Sequence, residues 1–470
     1  MAIIGRVKEQ GAFNQYFESE KSELVAVYGR RRVGKTFLIK EFFKEQFSFY
    51  ISGLPNSNKD EQLENFAATL TFYGKMPYPK VNSWLEAFRQ LIYMLENSRK
   101  KGKKVVFIDE LPWFDTPRSG FLTALDFFWN TWASGRNDIL LIVCGSATSW
   151  MINKLLRNKG GLHNRVTRRM HLSPFTLKEC EDFFRYKKMV FDRKSIAEAY
   201  RVFGGIPFYL EMFEKGESVA QNIDNLCFNA NAALKDEFSL LYASLFRHSE
   251  NYVKVVSALA KKTKGLTREE IIAETSLQGG GLTTILDELE QCDFIRSYQA
   301  FSKKKKSALF QLTDFFSLFH FKFMTKNEYK DEQFWTNSLH TPLQNTWAGY
   351  AFEMLVLQHI NEVKRALEIS GVQSAVSSWR SENSSPAAQI DLLIDRKDGI
   401  IDLCEIKFSK NQFVIDKDYE KNLRNKISAF ISENKTRKAI HILMITTYGT
   451  AKNKYYDIVQ KEVVLNDLFI

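Results

Sequence analysis

The stretch Gly29-Arg-Arg-Arg-Val-Gly34-Lys35-Thr36 constrains this chain more than any other. It has the spacing Gly-x4-Gly-Lys-Thr and stands between an apolar, β-prone run, 23–28, and a helical pattern, 36–43. That setting gives the motif its meaning. The glycines let successive backbone N–H groups close around phosphate oxygens, at a helix N-terminus that already favours anions. In such a loop Lys35 reaches the β/γ-phosphates of a nucleoside triphosphate, and the Thr36 hydroxyl ligates Mg²⁺. Gly29, Gly34, Lys35 and Thr36 are therefore the first candidate binding residues.

A second apolar run, Val105-Val-Phe-Ile108, delivers Asp109 and Glu110. The strand predicts Asp109 as a metal ligand, with Glu110 placed to polarise an attacking water. A further run, 139–143, ends near Ser146, a small polar side chain that can sense the γ-phosphate. Arg165, with Arg168 and Arg169 close behind, is a candidate to neutralise charge on the transferred phosphoryl group. Each arginine taken singly is equally a surface or ion-pairing residue.

Strands expected at 23–28, 47–51, 104–108 and 139–143 alternate with helices expected at about 60–72 and 82–97, which argues for a parallel α/β sheet. The 470 residues call for several domains. Five cysteines stand singly, so neither a disulfide scaffold nor a zinc ribbon is expected, and a reducing cytoplasm is. No apolar run approaches the ~20 residues of a spanning helix, so no membrane role is expected. Of the net charge of +11, residues 1–235 carry +10, from 35 Lys/Arg against 25 Asp/Glu. That half invites polyanions, nucleotide phosphates and with them nucleic acid such as DNA as a partner, or is equally a solvated lysine-rich surface.

The succession Ile4-Gly5-Arg6, GRRRVGKT, VVFIDELPW, CGSATSWM, NRVTRRMHLSPF and GGIPFYL resembles the archaeal-type ATPases of the AAA+/STAND group over roughly the first 230 residues. The resemblance implies a P-loop NTPase sheet with a helical lid, using ATP with Mg²⁺. It also implies that Ile4, Gly5 and Arg6 flank the adenine, that Pro207 of the lid touches the base, and that Arg165 is a finger acting within or between subunits. An ATP-promoted homo-oligomer is the corresponding expectation.

Residues 251–316 have the layout of a winged helix: a helix at 252–261, a second from about 267, a third after Gly279-Gly-Gly281, then a hairpin with Lys303–Lys306 at its tip. Burying Leu282, Ile285, Leu286 and Leu289 at helical spacing turns Thr283, Thr284, Asp287, Glu288 and Gln291 outward. That acidic face repels phosphates. DNA contact and a protein-binding or spacer role both remain open for this segment.

Further on, Gln389-Ile-Asp391-Leu-Leu-Ile-Asp395 passes through a turn at 396–399 into Ile400-Ile-Asp-Leu-Cys-Glu405-Ile-Lys407. Folded as a hairpin with Asp395 roughly opposite Ile400, it brings Asp391 towards Cys404–Glu405 and puts Glu405 and Lys407 on one face. Two carboxylates beside a lysine suit a hard divalent ion, Mg²⁺ or Mn²⁺. The bland reading is a ladder of cross-strand ion pairs. The pattern Asp391, Glu405, Lys407, with Glu353 on the preceding helix, resembles the PD-(D/E)xK nuclease superfamily over about 345–470. It is also similar to the uncharacterised domain fused behind archaeal ATPases. The resemblance implies metal ligation by Asp391 and Glu405, with Lys407 and Glu353 in catalytic support.

The expected organisation is an ATPase core at 1–175, a helical lid at 176–235, a winged helix at 236–325, a linker at 326–345 and a restriction-nuclease-like α/β domain at 346–470. The function expected is ATP binding and hydrolysis gating metal-dependent phosphodiester chemistry on DNA. The rival is an ATP-driven switch or scaffold whose nuclease-like domain only binds.

Overall fold

The computed structural model describes residues 2–157, 164–246, 248–299, 301, 308–327, 330–381 and 387–470. It forms two compact units, Met1–Pro174 and Phe175–Ile470.

The first unit is built on a five-stranded parallel sheet. Its strands are β1 (Glu23–Tyr28), β2 (Phe47–Ser52), β3 (Lys104–Asp109), β4 (Ile139–Cys144) and β5 (Arg168–His171), in the order β2-β3-β4-β1-β5. The central strands β3 and β4 are buried along their whole length, as expected of a sheet covered on both faces. Leu24, Ala26, Val106, Ile108, Leu141 and Val143 point to one face, where Phe66, Trp84, Phe88 and Phe121 from the helices pack on them. Cutting one of these leucines to alanine costs about 2–5 kcal/mol. β4 lies between β1 and β3, so the ends of three adjacent strands share one edge, and ligands of open parallel sheets bind at that edge.

β5 was not anticipated. It pairs with β1 from Val25↔Arg168 to Tyr28↔His171, and only Met170 of its four residues is buried. An edge strand of this length carries no apolar alternation.

In the second unit, helices run from Leu177–Tyr186 through Glu237–Leu245. The turn Gly204-Gly205 anchors them to the unit's first residue: Phe175 donates its N–H to the Gly205 carbonyl at 2.8 Å. Gly205 has φ +67, and a Cβ there would stand 2.4 Å from the Phe175 carbonyl oxygen, so only glycine fits. Next come the helix Ser249–Lys261, β6 (Leu266–Thr267), the helices Arg268–Thr275 and Gly279–Gln291, β7 (Ile295–Tyr298) and β8 (Leu309–Leu312). The three strands form an antiparallel sheet ordered β6-β8-β7. Leu282, Ile285, Leu286 and Leu289 of the third helix are buried, and Thr283, Thr284 and Asp287 are exposed. Lys303–Lys306 lie outside the described residues.

The stretch expected to act as a linker is packed. Within it the helical turn Phe334–Asn337 buries Trp335 against Phe319 and Phe323, and the Trp335 N–H donates to Asp224 at 2.8 Å. Polar composition hid a single anchoring tryptophan.

The last part combines the helix Pro342–Gln358 with β9 (Ser374–Arg380), β10 (Gln389–Arg396), β11 (Ile400–Lys407), the helix Lys417–Asn434, β12 (Ala439–Thr446) and β13 (Val459–Val464). The sheet order is β13-β12-β11-β10-β9, antiparallel from β9 to β11 and parallel from β11 to β13. Trp379, Leu393, Ile401, Leu403, Ile442 and Met444 form one face of its core with Phe430 of the covering helix. The hairpin register differs by one residue from the expected one. The connection is Lys397–Gly399, with Gly399 at φ +89, and Asp395 stands opposite Ile401.

Candidate functional site

Most of the sequence-predicted residues fall into two groups, one in each unit, and Arg165 and Pro207 stand apart. In the first, the loop after β1 runs directly into the helix Lys35–Phe43, with Gly34 as its N-cap at φ +89. Arg32 also takes a left-handed conformation, φ +73, and such left-handed residues in a turn are what form anion-binding nests of backbone N–H groups. The two motif glycines serve different needs. A Cβ at Gly29 would lie 2.3 Å from the Leu172 carbonyl oxygen, whereas one at Gly34 would meet nothing within 4 Å. Gly29 is thus demanded by the neighbouring β5 backbone, and Gly34 by backbone conformation. Lys35 is buried, and its ammonium donates to the carbonyls of Gly29 and Arg30 at 2.8 and 2.9 Å.

Arg6 holds this loop from behind. Its guanidinium, only 5% exposed, donates to the Val33 carbonyl at 3.1 Å and the Ser173 carbonyl at 2.7 Å. Ile4 and Gly5 are half-buried beside it, and the Gly5 carbonyl accepts from Gln10 at 2.8 Å. The same arginine that the resemblance sets beside the base is therefore also a brace of the phosphate loop.

At the end of β3, Asp109 is buried and accepts a hydrogen bond from Thr36 Oγ1 at 2.8 Å. Burial raises its pKa above the usual aspartate range, the Thr36 bond opposes that rise, and the Glu110 charge adds to it. A buried carboxylate in contact with a hydroxyl is a fitting oxygen donor pair for Mg²⁺, because a divalent charge repays the desolvation. Glu110 adopts a left-handed backbone, φ 47, and turns towards β4. Its Oε2 accepts from both the amide and the hydroxyl of Ser146, at 3.1 and 2.9 Å. The two residues read separately from the sequence as water activator and phosphate sensor are thus joined.

The arginines sort differently. Arg168 lies 3.2 Å from the fully buried Glu23 and stacks over Tyr16, so it is an ion-pairing residue of β5. Arg169 and Arg165 are exposed; burial raises the Asp126 carboxyl, and the Arg165 charge partly offsets that rise. Pro207 opens the short helix Pro207–Glu211 in the second unit.

The second site lies on the β10–β11 hairpin. The registered ladder ends at Leu392↔Cys404, with Asp391 and Glu405 the next residues along their strands, and β10 is irregular against β9 between Ile390 and Leu393. Glu405 is 5% exposed and lies on the sheet face covered by the helix Lys417–Asn434. That helix supplies two partners missed from the sequence. Lys426 Nζ is 2.5 Å from Glu405 Oε1, and the Tyr419 hydroxyl donates to Oε2 at 3.0 Å. The anticipated Lys407 stands farther off, 3.9 Å from Glu405 Oε2, with its ammonium 5.6 Å from the centre of the Tyr419 ring. Asp391 accepts from Gln389 Nε2 at 2.6 Å.

Glu353, on the helix Pro342–Gln358, is close enough to feel these charges. Burial first, then the Asp391 charge, pushes its carboxyl up to about 7, while Lys407 and Lys264 pull the other way. Such a group exchanges a proton near neutral pH. The donor types suit a hard cation, although among the described residues no three His, Cys, Asp or Glu converge as a metal site. Glu405 already carries Lys426 and Tyr419, so an ion entering there displaces or shares the Lys426 ammonium.

Residues 4–213 match the model of an ATPase domain predominantly from Archaea. An uncharacterized protein of Methanocaldococcus jannaschii is 23% identical over 381 residues, 80% of this chain and 81% of that protein. Among solved structures, the chain is similar to a Walker-type ATPase of Pyrococcus abyssi: 19% identity, TM-score 0.49, 68% of this chain and 96% of that one. It is also similar to the ORC2 protein of Aeropyrum pernix: 15% identity, TM-score 0.43, 67% and 91% covered. No helix among the described residues is long and apolar enough to cross a membrane. The N-terminal part thus carries an archaeal-type ATPase domain on an α/β fold.

Proposed function

We propose that this chain binds and hydrolyses ATP and acts on DNA, with the ATPase gating a metal-dependent phosphodiesterase-like module at its C-terminal end. In the ATPase, Lys35 leaves the loop carbonyls for the phosphates, Thr36 and Asp109 would hold Mg²⁺, and Glu110 orients the attacking water. Glu110 acts once its bond to Ser146 opens, and Arg165 is the proposed finger. Ile4, Gly5 and Pro207 are the proposed base contacts. The middle segment, with its three helices and three-stranded sheet, supports the winged-helix reading.

The observation that supports the nuclease half is that Asp391 and Glu405 both lie close enough to raise the Glu353 carboxyl, with two lysines at the Glu405 carboxylate. Asp391 and Glu405 would hold a divalent ion, which supplies charge neutralisation at a phosphate oxygen when bound. Lys407 orients the water and steadies phosphate charge. Glu353, with a carboxyl near neutrality, takes up a proton. The test is calorimetry of Mn²⁺ with the full chain and with Asp391→Ala. We expect one binding event to vanish in the variant; identical isotherms overturn the reading.

One observation favours the rival. Both Glu405 oxygens already have protein partners, as befits a structural ion pair. An ATP-driven switch whose C-terminal module only binds is the second reading, and identical Mn²⁺ isotherms select it.

A further inference from the structure

The nuclease-like module is nearly neutral and has little grip of its own on a polyanion. A cavity of about 120 Å³ beside it offers what the module lacks. Its walls include Lys264 and Arg296 from the three-stranded segment, Arg380 from β9, and Glu353 and Asp391 from the candidate site. Three cations thus face two carboxylates in a space with room for several waters.

The wall is fixed in place. Phe301, just past β7, donates its N–H to the Ser378 carbonyl of β9 at 2.7 Å, and its ring packs 5.3 Å from Phe430. The Lys264 ammonium bonds Gln389 Oε1, and the Gln389 amide in turn bonds Asp391, so one side chain joins the loop lysine to the carboxylate. The Tyr298 hydroxyl donates to the Lys264 carbonyl at 2.6 Å.

Arg296 is the telling residue. Its Nε donates to Gln311 at 2.8 Å and its guanidinium lies 4.9 Å from the centre of the Tyr298 ring. No carboxylate pairs with it among the described residues, although burial is strong enough to lower its pKa. A largely desolvated guanidinium without a counter-ion is costly unless an anion completes it, and its planar fork suits phosphate oxygens.

We infer that this cavity holds a backbone phosphate of a nucleic-acid strand, with Arg296 and Lys264 gripping it next to Asp391. The segment before the nuclease-like module therefore contributes to nucleic-acid binding through β7 and the loop before β6. Its acidic third helix is not the contact surface. This rests on the proposed nuclease reading for what happens to the strand, but not for the binding itself.

The test is fluorescence anisotropy of a labelled single-stranded 20-nucleotide DNA with the full chain in EDTA, over a salt series. Arg296→Gln and the exposed Lys264→Ala should each weaken binding about five- to tenfold and lower the salt slope by about one. Arg296→Lys should keep the slope and lose part of the affinity. Asp391→Ala should tighten binding, since it removes an anion from the cavity. Lys264→Ala decides the matter if the Arg296 variants fold poorly. No binding by the unaltered chain, or unchanged affinity and slope in Lys264→Ala, overturns the inference. Arg296-dependent binding without any cleavage sinks the nuclease reading alone; cleavage with Lys264-independent binding sinks this inference alone.

Discussion

The two candidate sites handle a buried carboxylate in opposite ways. Asp109 in the first unit touches a neutral hydroxyl, Thr36, while the nearby Lys35 is held by backbone carbonyls. Among the described residues no cation pairs directly with that carboxylate, so a divalent ion entering there would displace only hydrogen bonds. Glu405 in the second unit is paired with Lys426 at 2.5 Å and with Tyr419. An ion entering there competes with an ammonium. The first site is organised for ready loading, and the second is self-neutralised until something opens it.

The largest effect expected is at the loaded site. Lys35→Ala should weaken ATP binding by roughly 100-fold or more, through loss of charge-assisted bonds to phosphate. Glu110→Gln should keep binding and lower turnover on the order of 10²-fold or more. Nucleotide titration and phosphate release measure both; unchanged turnover in the Glu110 variant removes that residue from its role.

Next comes Lys426→Ala. It leaves the buried Glu405 carboxylate with only the Tyr419 bond and the more distant Lys407, which costs up to about 3 kcal/mol of stability in the second unit. Mn²⁺ should restore part of that loss and bind the variant more tightly than the parent. Thermal melts with and without Mn²⁺ read this out. A variant as stable as the parent would mean that the ion pair does not close the site.

Acid should act on the second unit through His320. Burial lowers the His320 imidazole from 6.5 to about 4, and the ring lies stacked on Phe238 at 4.2 Å. Its folded pKa is depressed, so its contribution is full above about 6.5 and fades as pH falls towards 4, about 3 kcal/mol at most. In the first unit, Arg136 and Lys104 hold the Asp138 carboxyl well below its ordinary 3.8, so that contribution is lost only below that value. Glu353, raised to about 7 in the same unit, works the other way over this window, so the His320 share is read by comparing parent and His320→Phe melts between pH 6.5 and 4: the variant should lose less stability as pH falls.

The smallest effect is Ser146→Ala, worth about 1 kcal/mol for the bond that tethers Glu110. Basal turnover should rise slightly if the tether restrains Glu110, and fall if Ser146 only senses phosphate.

What was legible in the chain was local. The phosphate loop, the acidic end of β3 and the β10–β11 hairpin each lie in one contiguous stretch whose spacing carries the geometry. The unread parts depend on distant segments. β5 and β9 are edge strands, and β5 buries only Met170. Lys426 and Tyr419 reach Glu405 from a helix whose sequence advertises solvent-facing charge. The hairpin register was expected one residue off because a three-residue connection, Lys397–Gly399, joins the strands.

The most direct measurement is cleavage of end-labelled DNA by the full chain with Mn²⁺, with and without ATP, alongside Asp391→Ala, Glu405→Ala and Glu110→Gln. The account predicts cleavage that Asp391→Ala and Glu405→Ala each abolish with ATPase intact, and whose dependence on ATP changes in Glu110→Gln. Cleavage that survives Asp391→Ala, or no cleavage under any of these conditions, would contradict it.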